Sequence, residues 1–138
     1  MNPIDFDTLP VGSELPSFTT PPLSRLTLAL YCGSSGDHNP LHVDTDFARA
    51  FGLPDVIAHG MLSAAYLGRL LTNWVDQEQV RGLSVRFAAM TQVGEAITCS
   101  GRVLEKDEAA RTVRLALATC NQVGETKLSG EAVVAFPA

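Results

Sequence analysis

The sequence predicts one α+β domain spanning residues 1–138, in which a curved antiparallel sheet wraps a long central helix. Three observations lead there. The stretch from Gly60 to Val75 is apolar on almost every side, so it has to be buried on almost every side. From Arg81 onward apolar and polar residues alternate with period two, as in strands with one buried face. No linker, repeat or low-complexity tract interrupts the chain, and 138 residues suit a single core.

Taken in order, residues 1–22 hold five of the eight prolines (Pro3, Pro10, Pro16, Pro21, Pro22), which rules out a helix there. Val11, Leu15 and Phe18 can still pin an edge strand, where proline is tolerated. Ser24 is placed to cap a helix from Arg25 to about Ser34, with Leu26, Leu30 and Cys32 on one side and Gly33 and Gly36 weakening its end. Asp44 caps a short helix through Phe47 to Phe51, which Gly52 closes before Pro54. The third helix, from about Gly60 to Val75, keeps its polar residues Arg69, Thr72 and Asn73 for the end.

Four strands follow: Gly82–Met90, residues 95–105, Arg111–Asn121 and Lys127–Phe136. Ile97, Cys99, Gly101 and Val103 share one face of the second, and Val113, Leu115, Leu117 and Thr119 one face of the third. Turn-like VGE, EKDEAA and QVGE separate them, and such short links make consecutive strands antiparallel neighbours.

Composition excludes several classes of function. Hydrophobic residues make up 46% and charged ones 18%, a globular balance. A net charge of −5 argues against a broad grip on nucleic acid. No apolar run reaches the roughly 18 residues that span a bilayer, and MNPIDFDTLP, with two acids and no base, is no signal peptide. Three cysteines (Cys32, Cys99, Cys120) without CxxC spacing point to a reducing, cytoplasmic compartment rather than a disulfide frame or structural zinc.

All three histidines (His38, His42, His59) fall within 22 residues, two of them in Gly36-Asp37-His38-Asn39-Pro40-Leu41-His42-Val43-Asp44. A solvated loop has no need of repeated Gly, Pro and His, whereas a site built on rigid turns does. His38 and His42 are four apart, a metal spacing only on a continuous helix, which Pro40 opposes; no metal is expected. Ser34, Ser35 or Ser63 near His42 would be nucleophile candidates, but no GxSxG elbow exists.

The remaining reading pairs Asp37 with His42 across the proline turn. A carboxylate and an imidazole sharing one water can add water to a polarised C=C bond or remove it. The developing charge on a carbonyl oxygen would meet the free amides at His59-Gly60, where the apolar helix begins and glycine admits a ligand. Each residue also has a plain structural reading. Asp37 and Asn39 suit turns or caps, His59 suits a structural hydrogen bond, Ser63 suits packing, and Met61, Leu62 and Tyr66 suit the core. Grouping is what sets them apart.

Asp37-His38-Asn39-Pro40-Leu41-His42, preceded by Ser35-Gly36 and followed by Asp44 and Phe47-Ala48, resembles the (R)-specific enoyl-CoA hydratases, the MaoC-like dehydratases. Ala58-His59-Gly60-Met61 and Val85-Arg86-Phe87 are similar to that family as well, and the likeness runs from about Val11 to Phe136. Where many relatives carry a proline-glycine turn, this chain has Gln92-Val93-Gly94. The resemblance implies a hot-dog fold and a dimer with a substrate tunnel near the subunit interface. It implies water handling by Asp37 and His42, a site held by Asn39, and a Gly60 amide donating to the thioester oxygen. Ser35, His59, Met61 and Ser63 are then candidates for substrate contact, and no cofactor is needed beyond a CoA or acyl-carrier-protein handle.

Two other functions use the same fold: thioester hydrolysis, which releases thiol, and service as the catalytic half of a heterodimer. Seven of the ten bases lie after residue 80, among them Arg81, Arg86, Arg102, Arg111 and Arg114, placed either to meet carrier phosphates or simply to solvate strands.

Overall fold

The computed structural model describes residues 4–138; Pro3 and the first residues of the MNPIDFDTLP stretch lie outside them. Helix α3 (Gly60–Trp74) buries Leu62, Ser63, Ala64, Leu67, Leu70 and Leu71, and it touches four strands of the sheet. Full burial of each leucine contributes about 1.5–3 kcal/mol. Burial on every side does not hold: Met61, Ala65, Arg69 and Thr72 form an exposed stripe along the helix. A five-stranded sheet curves around only part of a helix's circumference, and in the single chain this stripe is left uncovered.

The sheet comprises β1 (Phe18–Thr19), β2 (Val80–Phe87), β3 (Thr98–Asp107), β4 (Thr112–Cys120) and β5 (Thr126–Ala135), in the order β1-β3-β4-β5-β2. All pairs are antiparallel. Ile97, Cys99, Gly101 and Val103 turn inward, as do Val113, Leu115, Leu117 and Thr119, as the alternation requires. Gly101 leaves space for its neighbours from sheet and helix: a β-carbon there would lie 2.8 Å from Leu117 Cδ2 and 3.4 Å from Leu70 Cδ2. A helix cradled by an antiparallel sheet is the hot-dog arrangement.

The expectation that short links make neighbours fails once. β2 pairs with β5 rather than β3, because residues 88–97 cross from one edge of the sheet toward the other. The crossing is tied down by backbone bonds from Ala58 to Thr91 (2.9 Å), Leu23 to Glu95 (3.0 Å) and Gly94 to Leu23 (2.8 Å). The edge strand β2 stays largely exposed, Leu83 and Phe87 included. At the other edge β1 is short; Leu15 is buried just before it and Phe18 is half-buried, while Val11 is exposed.

Helix α1 (Arg25–Ser35) begins at Ser24, whose hydroxyl accepts from the Thr27 amide at 3.1 Å, a cap that stabilises by about 1 kcal/mol. Its inward face is corrected. Leu28 and Cys32 are buried, whereas Leu26 and Leu30 point outward. The two pairs are rival stripes, each with i, i+4 spacing, and contact with the segment leading into α3 selects the first. Helix α2 (Thr45–Ala50) is capped by Asp44, which accepts from the Asp46 and Phe47 amides.

Candidate active site

The loop leaving α1 is wound by its own side chains. Gly36 ends the helix with φ +76°, a left-handed turn that favours glycine. Ser35 Oγ accepts from the Asp37 amide (3.2 Å), Asp37 Oδ1 from the Asn39 amide (3.3 Å), and Asn39 Oδ1 from the Leu41 amide (3.0 Å). The last bond opens a 3₁₀ turn over Pro40–His42 with proline at its start. Asp37 and Asn39 therefore do make the turn bonds of their structural reading, and those same bonds place the second Asp37 oxygen and the His42 ring.

His42 Nδ1 lies 2.7 Å from the Ile57 carbonyl. A carbonyl only accepts, so Nδ1 carries the proton and, in the neutral ring, Nε2 keeps a lone pair. Nε2 stands 3.9 Å from Asp37 Oδ2; the imidazole is nearly enclosed and the carboxylate half exposed.

The Ile57 carbonyl is held on three sides. Arg25 grips Asp55 with two hydrogen bonds, 3.1 and 2.6 Å, and Asp55 Oδ1 accepts from the Val56 amide at 2.7 Å. The Arg25 guanidinium keeps the Asp55 carboxyl below its ordinary pKa, aided by the Val56 amide. Ile57 itself donates to the Leu41 carbonyl at 3.1 Å, and it bridges to Gln92 of the crossing segment.

His59 lies beneath this pair, 2% exposed. Its ring stacks on His42 with centroids 3.6 Å apart and planes 22° from parallel, and it meets Tyr31 edge-on. Nε2 lies 3.2 Å from the Asp37 carbonyl and 3.4 Å from Cys32 Sγ. Burial pushes the His59 pKa below its ordinary value and the Cys32 thiol above its own.

Gly60 opens α3, and no side chain caps that end. The Leu62 amide turns to the His59 carbonyl (3.1 Å), which leaves the Gly60 and Met61 amides without a partner among the described residues and free for a ligand. They border a cleft of about 400 Å³ lined by His42, Gly60, Phe87, Met90, Thr91 and Leu128, among others. Asp37 stands outside that lining, beyond His42 Nε2.

Of the candidates for substrate contact, Ser35 is exposed at the loop, while His59 and Ser63 are covered. Met61 is exposed but belongs to the open stripe of α3 rather than to the cleft. His38 is exposed, and the histidine brought to His42 is His59. Sequence reasoning missed the far wall, Phe87 to Thr91. Its signals are the Val85-Arg86-Phe87 likeness and the apolar run Phe87-Ala88-Ala89-Met90, which reads as strand to Met90 although β2 ends at Phe87.

That wall has its own anchor. Lys127, 2% exposed, donates to the Met90 carbonyl (2.9 Å) and Glu125 Oε1 (2.8 Å), and lies 3.1 Å from Glu95 Oε1. Glu95 also accepts from the Gln92 amide (2.6 Å) and Asn121 Nδ2 (2.8 Å). Burial acts against both charges, but hydrogen bonds outweigh it: Asn121, the Gln92 amide and Lys127 leave the Glu95 pKa lowered, and Glu125 with Glu95 leaves the Lys127 pKa raised.

Asp37, His42 and His59 bring potential metal-ligating atoms within 4.8 Å of one another. Imidazole lone pairs lie in the ring planes, so two stacked rings direct them side by side rather than toward one ion. His42 Nδ1 and His59 Nε2 are moreover engaged with carbonyls. The donor set suits proton handling better than metal binding.

Comparison with known proteins places these features in company. The profile of the MaoC-like domain family matches residues 10–123. An (R)-specific enoyl-CoA hydratase of Rhodospirillum rubrum is 32% identical over 126 residues, covering 84% of this chain and 81% of that protein. Among solved structures, an R-hydratase from Pseudomonas aeruginosa superposes with a TM-score of 0.85 at 30% identity, covering 96% of this chain and 84% of the other. The (R)-hydratase of Aeromonas caviae gives 0.85 at 29% identity over 94% and 98%.

Proposed function

Because the chain belongs to the MaoC-like domain family, we propose that it hydrates trans-2-enoyl thioesters to (R)-3-hydroxyacyl thioesters and catalyses the reverse dehydration, with Asp37 and His42 handling the proton. The observation that carries the reading is the 3.9 Å gap between Asp37 Oδ2 and His42 Nε2. One water donating two hydrogen bonds of about 2.8 Å spans roughly 4–5 Å, so this gap lies close to what a shared water needs. The relatives named above supply the substrate class.

The water oxygen attacks C3, the C2=C3 electron pair moves toward the thioester oxygen, and the free amide of Gly60 with the positive end of α3 stabilises the charge there. The neutral His42 ring has no proton on Nε2, so the one delivered to C2 is first taken from the attacking water, through Asp37 or directly. The pair returns to its starting state when C2 is protonated. Which group holds that proton in transit is a property of the coupled pair. Asn39 and Ser35 keep the loop in shape, and the chemistry asks for no cofactor beyond the CoA or acyl-carrier-protein handle of the substrate.

The exposed edge strand β2 and the open stripe of α3 are surfaces that a second subunit would cover, in a homodimer or in a heterodimer with a related chain. Arg111 and Arg114 are already engaged, with Asp7 and with Glu105 and Glu131. That leaves Arg81, Arg86 and Arg102, which make no ion pair among the described residues, as the arginines suited to carrier phosphates. No helix among the described residues is long and apolar enough to cross a membrane, and the three cysteines are free, which suits a role in the cytoplasm.

Crotonyl-CoA incubated with the purified chain tests the reading. Loss of the enoyl-thioester absorbance without thiol release is the expected result, and Asp37→Asn and His42→Ala should each lose ~10²–10⁴-fold in rate while staying folded. Thiol release would replace hydration by thioester hydrolysis. Activity appearing only with a co-expressed related chain would identify the heterodimer, and an active Asp37→Asn variant would remove Asp37 from the chemistry.

A further inference from the structure

Resting on that reading, we propose that His59 is the positioning residue of the site: it holds the Asp37 and His42 side chains in register without touching substrate. Two contacts carry the inference. The His59 ring stacks under His42 at 3.6 Å, so it fixes the plane in which the His42 nitrogens lie. Its Nε2–H donates to the carbonyl of Asp37 at 3.2 Å, so it fixes the residue that bears the other working group. One buried ring thus serves both halves of the pair, while the Ile57 backbone holds only the His42 end of the loop.

The chemistry of the imidazole agrees. The Asp37 carbonyl can only accept, which puts the proton on Nε2 and leaves Nδ1 a bare acceptor. Nδ1 is buried with no hydrogen-bonding partner among the described residues. An apolar ring would fill the space without that penalty, so packing alone does not account for a histidine here. Cys32, Asp37, His42 and Tyr31 are the titratable groups against the ring. Cys32 Sγ, 3.4 Å from His59 Nε2, helps keep the ring from swinging.

The test uses the full chain with His59→Leu, His59→Phe and His59→Gln, each checked for folding by circular dichroism and melting. Steady-state hydration of crotonyl-CoA reads kcat and KM, and ¹⁵N spectra of the parent's three imidazoles and the variants' two read their tautomers. His59→Leu is expected to lower kcat ~100-fold with KM within ~3-fold, since a misplacement of ~1 Å costs about that much. Phenylalanine, which keeps the plate under His42, and glutamine, which keeps a donor for the Asp37 carbonyl, should each recover part of the loss. In the spectra His42 should keep a single Nδ1–H tautomer in the phenylalanine variant and lose it in the leucine variant.

A folded His59→Leu protein with kcat within ~3-fold of the parent overturns the proposal, as does a KM rise above ~10-fold at unchanged kcat, which would make His59 a substrate contact. If His59→Leu does not fold, the other two decide: partial losses in both support positioning, and full activity in both overturns it. If the parent chain hydrates nothing, the reading of function has failed, and the spectra alone judge His59. In that case an unchanged His42 tautomer in every folded variant overturns the positioning role, and its loss upholds it.

Discussion

The ring of Phe87 packs so closely over Gly60 that a β-carbon on the glycine would lie 2.6 Å from Phe87 Cε1. Glycine at the head of α3 thus serves the cleft rather than the helix, which alanine would favour by up to about 1 kcal/mol. In the single chain Phe87 is 55% exposed and has room to yield. Gly60→Ala is therefore expected to fold and melt close to the parent. Its methyl group, however, crowds the amide assigned to the thioester oxygen, and kcat/KM for crotonyl-CoA should fall ~10–100-fold. Undiminished activity would show that this amide takes no part.

Glu95 and Lys127 form a clasp that is buried on the lysine side, whose side chain is 3% exposed against 16% for that of the glutamate. Removing Glu95 leaves the more deeply buried Lys127 with only Glu125 and the Met90 carbonyl, and it strands the Gln92 amide and Asn121 Nδ2. Glu95→Ala is expected to cost about 2–3 kcal/mol in urea unfolding. Lys127→Met should cost less, because Glu95 keeps the Gln92 amide and Asn121. Equal costs would mean that those two bonds do not hold Glu95.

The buried His59 makes stability depend on pH in a defined direction. Burial lowers its folded-state pKa below 6.5, so from about pH 6.5 downward the unfolded chain takes up a proton that the native protein refuses. The contribution is complete above pH 6.5 and is lost as the pH falls, by at most about 1.4 kcal/mol per pH unit. Urea unfolding of the parent and of His59→Phe between pH 7.5 and 5 checks the sign: the parent should lose stability more steeply. Parallel curves would mean that His59 titrates normally in the fold.

The thiols should divide by burial. Cys99 is fully buried and its pKa is pushed up to about 12, while Cys32 is buried with its pKa raised. Cys120 is partly exposed. A thiol reagent should label one cysteine in the native protein and three after denaturation. Rapid labelling of Cys32 would mean that the ground beneath the loop opens readily. The native label also sets the background for the thiol-release assay.

Much of the architecture was legible because it rests on short-range rules. Ser24 and Asp44 cap where their side chains reach amides two or three residues on. The inward residues of β3 and β4 follow from a period of two. The loop from Ser35 to Leu41 winds through bonds between residues two apart, so its turn chemistry shows in the letters, and the neighbourhood of Asp37 and His42 follows from it. By contrast, Leu26 and Leu30 read as well as Leu28 and Cys32, since helical spacing cannot tell which of two equivalent stripes meets a partner. The 88–97 crossing was hidden because the expected strands, Gly82–Met90 and residues 95–105, left a four-residue link that suits a hairpin. In the fold β2 ends at Phe87, β3 begins at Thr98, and β2 pairs with β5.

Local chemistry thus established the elements, their caps and the loop that carries the acid and the base, since a hydrogen bond over two or three residues needs no other part of the chain. What lies beneath and across that loop came from contacts between distant residues. His59 reaches under His42 from 17 positions away. The Ile57 carbonyl sets the His42 tautomer, and Lys127 holds the cleft wall at Met90 from 37 positions away. Such contacts form when curvature of the sheet around α3 brings the segments together, and no local spacing encodes that curvature.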